Sequence, residues 1–255
     1  TDEATGDLAK SMNLSYSEAS NLRSELGLIS NLSMDSAVNI KGLQETLIAV
    51  NTALGSNAKI NSEDLITWTK LREQAGYTND ELLGIYKIST INGKSLKQNT
   101  SEFLGAAKAT ASTNKLIINE KQLLKEVSGI SNSIKLSMGG SASRIAEAMV
   151  SAKKLGTNLS EVESISNSLL DFESSIANEL AAELITGKQL NLERARLSAL
   201  NNDYATVAKE IATQIGDAAG FSKMNRIQQE ALAKSVGMSR DSLAESLTNQ
   251  AALTA

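Results

Sequence analysis

The chain has no proline, no cysteine and no histidine among its 255 residues, and only 3% of it is aromatic. Average usage would place about a dozen prolines in a chain of this length. Proline lacks the amide proton that a helix interior needs and clashes with the preceding turn, so its absence leaves helices free to propagate. Glycine is then the one strong backbone stop that remains. Without cysteine there is no disulfide framework and no thiolate chemistry. Without histidine there is no imidazole metal ligand and no histidine base. The scarcity of aromatics leaves Leu, Ile, Val and Ala to fill the interior. A net charge of −4, with an isoelectric point near 5.1, argues against a broad phosphate-binding surface. Strictly hydrophobic runs such as Leu47–Val50 fall far short of the ~18–20 residues of a membrane span, so none is expected. The chain opens at Thr1 with no charged and apolar leader, as an interior piece of a longer polypeptide or a processed product would.

What the chain does have is apolar stripes at helical spacing, punctuated by glycines and polar caps. The fullest statement is Leu155–Leu170, LGTNLSEVESISNSLL. Gly156 follows the stripe Ile145, Met149, Ala152, Leu155 and suits the left-handed conformation that ends a helix. Ser160 with Glu163 three residues on reads as a capping box. Val162, Ile165, Leu169, Phe172, Ile176, Leu180 and Leu184 then mark one helix face as far as Gly187. The spacing predicts a single amphipathic helix over about 160–186, roughly 39 Å long at 1.5 Å per residue. Its narrow stripe calls for a partner helix rather than a round core, and makes it the expected spine of the C-terminal part. AGYTNDEL at Ala75 and VGMSRDSL at Val236 share the same grammar, but their uneven spacing is not a solenoid period. The fold class is all-α: helical hairpins and short bundles with one long helix and no sheet.

Elsewhere Ser15–Glu18, Thr78–Glu81 and Asn225–Gln228 have the form of capping boxes. Asp35 or Ser36, Ser62, Ser141, Asn191 and Asp203 are the expected caps of other helices. Gly27, Gly55, Gly76, Gly93, Gly216 and Gly237 stand where helices should stop. Ile117, Leu123, Leu124, Val127, Ile130 and Ile134 predict one longer helix that Gly129 interrupts. From Lys94 to Asn114 the sequence thins to Ser, Thr, Asn, Lys and Ala around Phe103 and Leu104, as in a weakly held connection. The tail from Thr248 reads as frayed. Gly139–Gly140 is the clearest break, which divides the chain into an N-terminal helical region, 1–138, and a C-terminal helical domain, 141–255.

Four motifs invite a chemical reading. QEALAKSVGMSRDSL, Gln229–Leu243, resembles a helix-turn-helix through Ala233, Gly237 and Leu243, yet its second helix offers Arg240 followed by Asp241, Ser242, Ala244 and Glu245. A reader of DNA needs more basic and amide side chains there, so the hairpin reads as structural. Leu192–Ile211 looks like a single tetratricopeptide helix pair, a unit that needs neighbours to bury its faces. Glu179 and Glu183 lie four apart and read as a solvated helix face, since no histidine completes a carboxylate metal site. Gly139–Gly140 has neither the preceding strand nor the lysine of a nucleotide loop. No serine has a plausible base partner. The sequence assigns no catalytic, cofactor-binding or metal-binding residue, and the expectation is a protein that is not an enzyme.

Three segments between Ser141 and Asn249 carry a family likeness: RIAEAMVSAKKLGTNLSEVESI, SLLDFESSIANELAAELITGKQLNLERARLSAL and MNRIQQEALAKSVGMSRDSLAESL. This region resembles the helical part of bacteriophage tail tape-measure proteins. The resemblance implies a virion structural protein, made in the bacterial host cytoplasm and placed inside the tail. Its partners would be other copies of itself, the tail tube, and baseplate hub or tip proteins. It also implies roles in tail-length determination and assembly. The density of short capped helices after Gly187 points to a folded domain of such a protein rather than the extended ruler. Two other classes share the composition: a flagellin-like helical filament or secretion-apparatus subunit, and a regulator using the Gln229–Leu243 hairpin.

Overall fold

The computed structural model describes residues 2–55 and 60–254, and among these there are sixteen helices and no strand. The chain is all-α, as the missing proline and the helical spacing require. It divides into two compact units, one built from the chain up to Ser101 together with Glu120–Gly129, the other from Glu102–Asn119 and everything from Ile130. The division does not fall at Gly139–Gly140. Those glycines form a tight turn inside the second unit, with the amide of Gly140 bonded to the Lys135 carbonyl at 2.8 Å.

The first unit contains α1 (Asp2–Met12), α2 (Tyr16–Ser33), α3 (Ile40–Leu54), α4 (Ser62–Glu73), α5 (Asn79–Asn92), the start of α6 (Leu96–Thr113) and α7 (Glu120–Gly129). Leu8, Met12, Ala19, Leu26, Val38, Leu43, Leu47 and Leu65 form its aliphatic core. Trp68 is buried edge-on to Tyr86, 5.5 Å between ring centroids, and its indole N–H donates to Asn79 Oδ1 at 3.1 Å. A buried indole needs such a partner. Where α5 crosses α7 the backbones nearly touch: a Cβ on Gly84 would lie 2.6 Å from the Ser128 amide nitrogen. Only glycine fits that crossing.

The thin stretch from Lys94 to Asn114 forms α6, and polar groups rather than an apolar stripe hold its start. Buried Asp64 accepts from the Leu96 amide at 2.7 Å, satisfying an orphan donor of the first turn. Asn99, fully buried, donates to Ser89 Oγ at 2.9 Å and accepts from Asn92 Nδ2 at 2.8 Å. Burial of polar groups is tolerated when each finds a partner.

Side-chain capping boxes close at Ser15, Thr78 and Asn225, and Ser141 and Asp203 cap their helices. Other starts correct the sequence reading. Asn39 caps α3 instead of Asp35 or Ser36, and Asn61 caps α4 instead of Ser62. Asn158, extended at φ −120° and ψ 168°, caps in place of Ser160. In windows this rich in Ser, Asn and Asp several side chains could cap, and the backbone's extended residue decides which one does. Gly27 does not stop α2, which runs to Ser33. The predicted helix through Ile134 is two: α7 ends at Gly129, and α8 (Asn132–Ser137) starts from a new cap at Ser131. Ile117 is fully exposed and belongs to neither.

The second unit continues from α6 through α8, α9 (Ala142–Lys154), α10 (Leu159–Leu170), α11 (Phe172–Thr186), α12 (Glu193–Leu200), α13 (Tyr204–Ile215), α14 (Ala218–Ser222), α15 (Arg226–Ser235) and α16 (Arg240–Thr254). The single helix expected over about 160–186 is therefore α10 and α11, broken at Asp171. That residue leaves helical geometry at ψ 79° and caps α11. The spine of the unit is α9, eight of whose 13 residues are buried, four of them alanines. Small side chains let α13, α10 and α16 approach it from several sides.

Gly156 does end α9's turn in the left-handed region, at φ 80°. A second constraint is tighter. A Cβ there would lie 2.1 Å from the Ser246 carbonyl oxygen of α16. The side chains of α16 seize the same turn: Ser246 Oγ and Gln250 Nε2 donate to the Leu155 carbonyl, and Asn249 Nδ2 donates to that of Gly156 at 2.9 Å. Asn249 and Gln250, in the segment expected to fray, are thus anchored. Gly156→Val should cost more than about 1 kcal/mol, from left-handed strain plus the clash. Gly105→Ala, at an exposed position of α6 with open space around it, should stabilise by about 0.5–1 kcal/mol. Urea unfolding of both variants checks the pair, and equal effects would contradict the close contact.

A second test concerns acid. The Lys70 ammonium, 3.0 Å from Asp35, holds the Asp35 carboxyl below its ordinary 3.8, with help from the Ala37 amide. A carboxyl lowered in the folded state stabilises above its unfolded value, and that contribution disappears as pH falls through the folded value. Asp35→Asn should flatten the decline of the thermal midpoint below about pH 4; an unchanged decline would show that the pair contributes nothing.

Candidate functional site

The break at Asp171 splits one apolar stripe between two environments. In α10 the stripe residues Val162, Ile165 and Leu169 are buried in the unit. In α11 their successors Phe172, Ile176, Leu180 and Leu184 stand 48%, 47%, 60% and 88% exposed. The face of α11 that enters the unit is lined instead by small side chains, Ser175 and Ala182, and it packs along α15. Short side chains permit close helix approach there, which turns the large residues outward. Leu197 and Leu200 of α12, about 60% exposed, lie across a shallow cleft of 660 Å³ from them. Isolated exposed leucines need no explanation, but a contiguous apolar patch on two helices marks an interaction surface.

Glu179, Glu183, Glu193 and Arg196 line the same cleft, and the two acids of α11 among them are paired there. Glu179 and Glu183 are half-buried and hydrogen-bonded rather than free on the solvated face that the sequence reading gave them. Both turn toward the connection between α11 and α12. Glu183 accepts from the Leu190 amide at 2.8 Å, and Glu179 accepts from the Leu192 amide at 2.9 Å and pairs with the Arg196 guanidinium. Arg196 is itself buried and also donates to Ser175 Oγ at 2.9 Å. Leu192 stands at the cap position of α12 with no side-chain cap of its own, and Asn191, the expected cap, reaches only the Glu193 amide. Glu179 thus places a carboxylate at the N-terminus of a neighbouring helix, where free amides and the helix dipole both favour it. The sequence spacing of four showed these two acids sharing a face, but not that the face is turned to the α11–α12 connection.

Other motifs resolve into packing. In the Gln229–Leu243 hairpin Ala233 and Leu243 are fully buried and Gly237 takes φ 73° in the turn. Its second helix spends Ser246, Asn249 and Gln250 on the α9–α10 turn, and Arg240 pairs with Asp241 at 3.0 Å. The Leu192–Ile211 pair, α12 and α13, packs as a hairpin inside the unit against α10. Among the described residues no group of three or more acids could hold a metal ion, and no helix is long and apolar enough to cross a membrane. Comparison with protein-family models, with curated proteins and with solved structures finds no match for the chain.

Glu179→Ala would leave the buried Arg196 charge without its carboxylate and the Leu192 amide without an acceptor. It should destabilise by about 2–3 kcal/mol. Hydrogen exchange of the Leu192 amide should accelerate more than that of amides in α9. A variant that unfolds like the parent, with Leu192 still protected, would show the pairing to be incidental.

Proposed function

We propose that the chain is a structural protein of a phage tail, a tape-measure protein or a folded domain of one, which works by laying exposed helix faces against partner proteins. The observation that carries the docking role is the run of exposed large apolar residues on α11 from Phe172 to Leu184, beside which Glu179 and Glu183 are held by pairing with the α11–α12 connection. A face of this kind fits helix-in-groove recognition, in which residues at i, i+4 and i+8 anchor a partner helix. The tail assignment itself rests on the likeness of the Ser141–Asn249 segments to tape-measure chains. It places the protein in the virion, against tail-tube and baseplate hub or tip proteins.

The test is mass spectrometry of purified virions together with co-purification of tail-tube and baseplate proteins on the tagged chain. The chain should be present in virions, and Leu180→Glu should reduce recovery of those proteins by about tenfold or more, because a carboxylate in an apolar seam must be desolvated. Absence from virions would sink the tail assignment. A second reading, a filament or secretion-apparatus subunit, is favoured by separate exposed apolar residues at the end of α2 and its cap. There Leu28, Leu32 and Met34 are 63%, 77% and 95% exposed. Sedimentable polymers formed by the purified chain alone would select it.

A further inference from the structure

We infer that Asn92–Gly93 is a self-modification site, where Asn92 deamidates through a backbone succinimide, and that side chains at the α5–α6 corner gate the reaction. It is the only Asn-Gly pair in the chain, and every group that gates it belongs to the first unit.

The chemistry needs nothing but water. The Gly93 amide nitrogen attacks the side-chain carbonyl carbon of Asn92, and the new C–N bond closes a succinimide ring. The side-chain nitrogen leaves as ammonia, taking the proton that the Gly93 nitrogen gives up. Water then opens the ring at either carbonyl, which leaves aspartate or, where the main chain now runs through the side chain, isoaspartate. No electrons are transferred. A side chain on the following residue would crowd the attacking nitrogen, and glycine has none. Gly93 is exposed, with nothing within 4 Å of where a Cβ would stand, so solvent reaches the pair.

The folded corner withholds each reactant. Asn92 is the last residue of α5, and ring closure requires it to leave helical geometry so that the next nitrogen swings over its side chain. That nitrogen is engaged, donating to the Ser89 carbonyl at 2.9 Å. The leaving nitrogen is engaged as well: Asn92 Nδ2 donates to Asn99 Oδ1 at 2.8 Å. Asn92 Oδ1 accepts from the Lys94 amide at 2.9 Å and from Asn99 Nδ2 at 3.2 Å. Asn99 is fully buried and also donates to Ser89 Oγ at 2.9 Å, so one polar network ties the end of α5 to the start of α6. Local openings of this kind are far more frequent than global unfolding, and they set the pace. The product cannot restore the network. Aspartate has no amide to donate and sets a second acceptor against Asn99 Oδ1, and isoaspartate adds a main-chain atom that the end of a helix does not accommodate. Each opening that reacts is therefore kept, and the start of α6 stays loosened.

Trypsin releases the site as residues 88–94, so mass spectrometry of the aged full chain counts the amide-to-acid change, and isoaspartyl methyltransferase labels the isoaspartate. The synthetic peptide of residues 88–94 should deamidate about a hundredfold or more faster than the folded chain. Asn99→Ala should speed the folded chain about tenfold by removing the partner of the leaving nitrogen. That variant also weakens the unit, so urea supplies an independent readout. In the unaltered chain the rate should rise at urea concentrations that leave Trp68 emission unchanged, because the corner opens before the unit unfolds. Asn92→Asp should accelerate hydrogen exchange at the start of α6, as ageing does. A peptide that keeps its amide would overturn the site. Equal rates in peptide and folded chain would overturn the gate, as would a rate that rises only as Trp68 emission changes.

Discussion

Two carboxylates tie α11 to the start of α12. Glu179 and Glu183 reach inward to the 187–192 connection, where they hold two backbone amides and a buried guanidinium. Without them those amides and the uncapped start of α12 would lose their partners. An orphaned buried polar group costs about 1–3 kcal/mol, comparable to what a large aliphatic side chain gains by burial. The buried side of α11 is lined by Ser175 and Ala182, which leaves the large apolar residues exposed beside the paired acids.

This pairing also marks how far the sequence could be read. Capping boxes at Ser15, Thr78 and Asn225 were legible because both halves of each lie within four residues. The glycine at position 156 was legible as a helix stop for the same reason, but its approach to Ser246 was not, since 90 positions separate the two in the chain. Asp171 passed unnoticed inside a stripe that kept its period on both sides of the break. Its cap signal, an aspartate followed by an acid in the first turn, was present but weaker than the periodicity around it. The period identified which residues share a helix face, and nothing local to α11 said whether that face pointed in or out. That depended on Arg196 and on the Leu190 and Leu192 amides.

The absence of proline had a cost elsewhere. With no proline to end helices, termination falls to glycines and to short polar side chains, and the chain is crowded with both. Many Ser and Asn residues that might suggest a polar active surface are spent on caps and on i−4 carbonyls within helices, as at Thr69, Ser89, Thr100 and Ser166. The second unit then gathers around alanine-rich α9, where close backbone approach replaces bulk. Such packing leaves large aliphatic residues to spare, and α11 and α12 carry them on the outside. Composition, capping and the docking face proposed above are in this sense one solution to one shortage.

The single tryptophan has an optical consequence. Trp68 lies in the unit built from the chain up to Ser101 and Glu120–Gly129, sealed from solvent and edge-on to Tyr86. The other unit contains none. Indole emission therefore reports on one unit alone, while helical circular dichroism sums both. If the two melt separately, the traces will part, and the gap between them measures how far each unit folds independently of its neighbour.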